Sequence, residues 1–176
     1  MSRSNDRAGT SRRDELLLAA FLTVTGLHLG AGLYEARVVI PQWAAVPTPA
    51  EVGPALHSSG HLTSGRVFWP YTGVPILLLT TANLRAAWRS EPPRRNWWLA
   101  ASTTAAAASL ATLGYFIPTL HQLTRAQTLP EPSVRALASQ WVRLDRLRLT
   151  LGLGGWLAGL TALSQPPAPH PDRTPM

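Results

Sequence analysis

The 176 residues carry 16 basic and nine acidic side chains, a net charge of +7, and every basic residue is arginine. The arginines form short clusters beside apolar blocks rather than a patch interleaved with exposed aromatic residues, which argues against a nucleic-acid partner and for membrane topology. Absence of cysteine excludes disulfides, thiolate metal sites and cysteine nucleophiles together.

The mean hydropathy of +0.03 averages very apolar blocks with polar, proline-rich ends. Residues 1–12 offer little to bury and read as a disordered cytoplasmic N-terminus. Ser11-Arg12-Arg13 ahead of Leu16-Leu17-Leu18 faintly resembles a twin-arginine export signal, but Asp14 and Glu15 interrupt it and further spans follow. The segment is therefore read as a mature first helix.

Leu16 to Leu33, Val67 to Leu84 and Trp97 to Leu120 contain no Asp, Glu, Lys or Arg. Each reaches the roughly 18 to 20 residues needed to cross about 30 Å of hydrocarbon. Leu149 to Ser164 is slightly short and reaches spanning length if its helix starts near Trp141, with Arg143 and Arg146 snorkelling. The expectation is an all-α fold, a four-transmembrane-helix bundle forming one domain over 13–165, with spans at about 15–38, 67–88, 97–120 and 141–164. The proline-rich tail, 166–176, reads as disordered and cytoplasmic.

On the first helix His28 and Glu35 are seven residues apart, about two turns, and share a face with Phe21, Val24, Thr25, Ala31 and Gly32. An ionisable pair in an apolar span points to the bundle interior and to function, or to a hydrogen-bonded pair that fixes packing. The connection from Pro41 to Arg66 holds four prolines and two histidines, His57 and His61, and is predicted to be a solvated loop. The second helix contributes Trp69, Tyr71, Pro75 and Asn83. On the third, one stripe takes in Thr103, Ala107, Leu110, Gly114, Ile117 and His121, and Pro118 is expected to bend the helix.

The last helix groups Trp141, Asp145, Arg148, Gly152, Gly155 and Gly159 on one stripe, with Arg143 and Arg146 on the other side. Small residues mark helix interfaces in membranes, so the Asp145–Arg148 pair is expected to face inward. Trp43, Trp69, Trp97, Trp98 and Trp141 lie at predicted span ends and read mostly as a headgroup belt, and Trp88 fits the same reading.

Arginines cluster before the first span and between the second and third, so the positive-inside rule puts both termini in the cytoplasm of an inner-membrane, multi-pass protein. Glu35, Trp69, Tyr71, Tyr115, His121, Trp141, Asp145 and Arg148 then belong to the outer half, with His28 deeper. The pattern predicts a funnel opening outward that binds a small apolar or aromatic molecule, with Trp69, Tyr71, Tyr115, His121, Trp141 and Asp145 as lining. The competing expectation is a structural or accessory membrane subunit whose polar interior only sets packing. A homo-oligomer is compatible with either, and an ion pathway would require one.

A metal site would draw on His28, Glu35, His121 and Asp145, but the Glu-x-x-His repeat of a diiron bundle is absent. Haem ligation by His28 and His121 is disfavoured by their different depths. No metal and no cofactor are expected, and no phosphate loop, nucleophile elbow or zinc-protease helix is present.

Gly30-Ala31-Gly32-Leu33-Tyr34-Glu35 followed by Pro41-Gln42-Trp43, and the run Trp141 to Arg148, resemble the anthrone oxygenase-like family of small four-helix membrane proteins. In that family the last helix often begins with tryptophan, a polar residue four on and arginine three later, which maps onto Trp141, Asp145 and Arg148; asparagine is common where this chain has Asp145. The resemblance implies a four-helix bundle and, for activity, cofactor-independent oxidation of an aromatic polyketide-type substrate by O2. On that implication His28 is the candidate base, Glu35 its orienter and Arg148 a stabiliser of substrate oxyanion.

Overall fold

The computed structural model describes residues 2–165, with side chains placed from Arg12 onward; the tail at 166–176 lies outside the described residues. All regular structure among the described residues is helical: α1 (Ser2–Tyr34), α2 (Ile40–Ala44), α3 (Val52–Ser58), α4 (His61–Val67), α5 (Trp69–Arg89), α6 (Arg94–Ala111), α7 (Ile117–Leu123) and α8 (Glu131–Ser164). Two π-helical turns, Glu35–Val39 and Thr112–Phe116, join α1 to α2 and α6 to α7 without interrupting either column. Four long columns result, packed in the ring order α1, α5, α6, α8 and back to α1. Two of them, Arg12–Ala44 and Arg94–Leu123, are long and apolar enough to cross a membrane.

Both π-turns have the same cause. Each is followed by Ile-Pro, Ile40-Pro41 in one case and Ile117-Pro118 in the other. A proline ring crowds the carbonyl four residues earlier and offers no N–H to it. Widening the preceding turn relieves this, with the Ile40 N–H bonding to the Glu35 carbonyl and the Ile117 N–H to that of Thr112. The bend expected from Pro118 is thus distributed over a wide turn.

Helix boundaries run past the predicted ones for the same reason: proline is tolerated in a first helical turn, where its missing N–H has no intrahelical partner in any case. Pro70 and Pro132 occupy such positions. The last helix accordingly begins at Glu131, not Trp141. The backbone of α1 likewise runs back to Ser2, into the segment read as a disordered extension. The connection predicted as a solvated loop, 41–66, instead folds into α2, α3 and α4, with left-handed Gly60 (φ 77°) separating the last two.

Packing concentrates at the two ends of the bundle. At one end Leu18, Phe21, Trp98, Ala101, Ala158 and Ala162 form a closed core. At the other, α2, α3 and α7 fold over α8, and Trp43, Leu56, Leu123, Val134 and Trp141 fill the space beneath. Glycine stripes let α8 approach its neighbours: a Cβ on Gly155 would lie 2.9 Å from Thr104 Cβ of α6.

Three tryptophans assigned to a headgroup belt are interior residues. Trp43 and Trp98 are fully buried, and the Trp98 indole donates to Asn83 Oδ1 at 2.8 Å. Trp141 donates to the Phe116 carbonyl at 3.2 Å. Their apolar rings fill the end cores and their single N–H groups, except that of Trp43, find interior acceptors. Trp97 and Trp88 remain exposed.

Candidate functional site

Between the two end cores lies a cavity of about 370 Å³, walled by all four columns. Most of its surface is apolar, and His28, Glu35, His61, Trp69, Thr112 and Arg148 supply its polar groups.

His28 and Glu35 do share the inner face of the first column, but they do not pair. The His28 Nδ1 lies 3.2 Å from Thr72 Oγ1, and the Thr72 hydroxyl donates to the Trp69 carbonyl at 3.4 Å. Thr72 thus holds the ring through Nδ1, and Nε2 has no hydrogen-bond partner among the described residues. Glu35 opens the first π-turn, and its Oε1 accepts from the Ser64 hydroxyl and from the Trp69 indole N–H at 3.0 Å. Trp69 therefore stands between them, its ring 4.6 Å from the His28 ring and its N–H on Glu35. The carboxylate does not orient the histidine; the hydroxyl of Thr72 does.

His61, read from sequence as a loop residue in solvent, is buried against Trp43 and Trp141 with ring centroids 5.7 and 5.6 Å away. Its Nδ1 is 3.9 Å from Glu35 Oε2, too long for a hydrogen bond. Burial pushes the His61 pKa below its ordinary value, an effect opposed by the carboxylates of Glu35 and Asp145 and reinforced by Arg148. His57 is exposed on the other side of the Gly60 break.

On the last helix the predicted inward stripe holds. Asp145 is buried behind the cavity wall and accepts from Arg148 Nη2 at 2.6 Å. Arg148 Nη1 donates to Thr112 Oγ1 at 3.0 Å, and the guanidinium lies 4.5 Å over the Phe116 ring. Both partners belong to the second π-turn. Trp141 packs edge-on against Phe116, 5.3 Å between centroids, and supports the wall from behind.

Of the six sequence-chosen lining residues only Trp69 is in the wall; Trp141 and Asp145 stand behind it, and the other three lie away from it. Tyr71 is 79% exposed on the outer face of α5, and His121 is exposed on α7. Tyr115 is half-buried beside Phe116, its hydroxyl buried without a partner. The third-helix stripe from Thr103 through Leu110 to His121 is exposed, with only Ile117 of it also reaching the edge of the cavity, and the inward face carries Trp98, Ser102, Thr112 and Phe116 instead. In an apolar helix both faces are small or apolar, so composition does not tell the packed one from the exposed one. With His121 outside, the set His28, Glu35, His121 and Asp145 is not assembled, and among the described residues no three His, Asp or Glu side chains are grouped to hold a metal ion.

Ser64, Thr72, Thr112 and His61 escaped the sequence reading. Thr72 carried a signal, because Thr72, Thr80 and Asn83 mark one polar stripe of an otherwise apolar helix and all are buried. Thr112 and Ser64 carried none, since π-turn phase and the fold of the connection decide where they point.

No family model, curated protein or solved structure matches the chain.

Proposed function

We propose that the chain is a four-span inner-membrane protein with both termini cytoplasmic, whose central cavity binds a small apolar or aromatic molecule. The carrying observation is the 370 Å³ cavity between two tightly packed cores, apolar over most of its wall, with His28 and Arg148 presenting polar groups to it. A void of this size in a helix bundle forfeits packing along its whole lining, so a ligand of matching shape supplies what the side chains do not. Membrane spanning is supported by the arginine clusters and by leucines exposed on every column, including Leu27, Leu78, Leu110 and Leu157.

The resemblance to the anthrone oxygenase-like family extends this reading to chemistry. His28 Nε2 takes an acidic C–H proton from the bound molecule, Arg148 stabilises the enolate oxygen, and the carbanion attacks O2. Conversion of the CH2 to C=O uses one oxygen atom and releases the other as water. Full turnover by His28→Ala in membranes removes His28 from this role.

One observation favours the alternative, a structural or accessory subunit. Glu35 and Arg148 each tie two columns or their connections together through hydrogen bonds that need no ligand. Mass spectrometry of protein purified in mild detergent, on wild type and His28→Gln, separates the two. A co-purified molecule present in wild type and lost in a folded His28→Gln variant supports binding. An empty wild type together with an unfolded variant supports the packing role.

A further inference from the structure

The cavity is closed at both ends of the bundle and open along one side. Its α1 and α8 walls are formed by Phe21, Gly32 and Gly155, all buried. Val74 and Leu77 of α5 also line it, yet they are 55% and 42% exposed, and Leu113 and Ile117 of the third column are 56% and 42% exposed. A side chain that both walls a cavity and meets the outside stands at its rim. The rim therefore runs between the first half of α5 and the segment formed by the second π-turn and α7. Helix packing agrees: α5 packs on α1, α4 and α6, whereas α7 packs on α8. Nothing lies within 4 Å of a Cβ built on Gly73, which also lines the cavity beside Val74.

The chemistry of the rim identifies the phase outside it. Val74, Leu77, Leu113 and Ile117 offer no hydrogen bond and no charge, and a mouth of this kind holds water poorly while meeting hydrocarbon at no cost. The end toward which a funnel was expected to open is filled by the packed core around Trp43 and Trp141. Arg148 is paired with Asp145 behind the wall and faces a cavity that Glu35 also lines, so the site has no excess positive charge with which to attract an anion.

We infer that the cavity is loaded sideways from the bilayer, through the slot between α5 and the second π-turn with α7, by an uncharged membrane-dissolved amphiphile whose apolar body lies in the slot and whose hydroxyl or carbonyl oxygen reaches His28 and Arg148. This rests on the membrane-bound, ligand-binding reading above and goes beyond it in naming the route and the phase.

The test uses the full chain in lipid nanodiscs. Because the chain has no cysteine, a nitroxide attaches uniquely to Leu113→Cys at the rim, to Ser109→Cys on the cavity wall, or to Thr128→Cys as a solvent-exposed control. Lipid-soluble O2 is expected to relax the Leu113 and Ser109 labels several-fold more strongly than a water-soluble nickel chelate does. Nickel relaxing the Ser109 label as strongly as the Thr128 label overturns the inference, because the cavity then opens to water. In the second arm 1-hydroxypyrene is supplied in the bilayer and its loading is followed by energy transfer from tryptophan. Gly73→Trp, and separately Leu113→Trp, fill the slot and are expected to slow loading by roughly tenfold or more with the melting temperature retained. Equal loading rates in wild type and both plugged variants overturn the lateral route while leaving ligand binding intact. No saturable binding to wild type overturns the ligand-binding reading and this inference with it.

Discussion

Arg148 donates to Thr112 across the interface between α8 and the third column, at 3.0 Å, and Thr112 is the first residue of the π-turn that precedes Pro118. Glu35 holds the matching position in the other π-turn, ahead of Pro41. Two prolines near the same end of two columns thus set the rotation of the residues that hold the polar side of the cavity. A helix of regular 3.6-residue period would carry every residue beyond these turns on a different heading.

Removing Arg148 leaves Asp145 buried and unpaired. Arg148→Met is expected to lower stability by about 3 to 5 kcal/mol, as for other buried pairs broken on one side. Asp145→Asn combined with Arg148→Met loses less than the sum of the two single changes. Thermal unfolding of the four proteins in one detergent measures that coupling, and strict additivity shows that the pair contributes nothing as a unit.

Glu35→Gln keeps an acceptor oxygen for the Trp69 indole, whereas Glu35→Ala strands it. Ser64 has a second acceptor in the His61 carbonyl at 2.9 Å, so the indole N–H is the group left without a partner. Glu35→Ala is expected to cost about 1 to 3 kcal/mol and Glu35→Gln markedly less. Equal melting temperatures for the two variants contradict this account of the carboxylate.

Adjacent glycines of α8 separate close approach from helix propensity. A Cβ at Gly155 meets the β-branched Thr104 at 2.9 Å, while one at Gly154 meets nothing within 4 Å. Gly155→Ala is expected to destabilise by about 1 to 3 kcal/mol through overpacking. Gly154→Ala stabilises by about 0.5 to 1 kcal/mol, because alanine is the better helix former. Unfolding of the two variants in parallel checks the opposite signs.

His61 gives the folded protein an acid sensitivity. Burial holds its pKa below the ordinary histidine value, with Arg148 acting in the same sense and Glu35 and Asp145 opposing. On acidification through about pH 6.5 the unfolded chain takes up the proton first, so stability falls with pH and the loss ends once the pH passes below the folded value. His61→Phe keeps the ring packing and removes this contribution. A pH series of melting temperatures is expected to show a shallower acid limb in the variant.

Length and composition of apolar runs determined the helical class, the number of long columns and the inward stripe of Trp141, Asp145, Arg148 and Gly155, because charge and glycine on an apolar helix have few places to go. The first-column face holding His28 and Glu35 was legible for the same reason. What only the tertiary structure decided was the partner of each group. Trp69 separates His28 from Glu35, Thr72 holds the histidine, and His61 turns inward from a connection whose prolines read as loop but start helices. The third column shows the limit most plainly: its Thr103–His121 stripe and its Trp98–Phe116 stripe are alike in composition, and only packing against α5 and α8 chose between them. Local sequence carries the period of a helix, but its rotation is a property of the neighbours it is packed against.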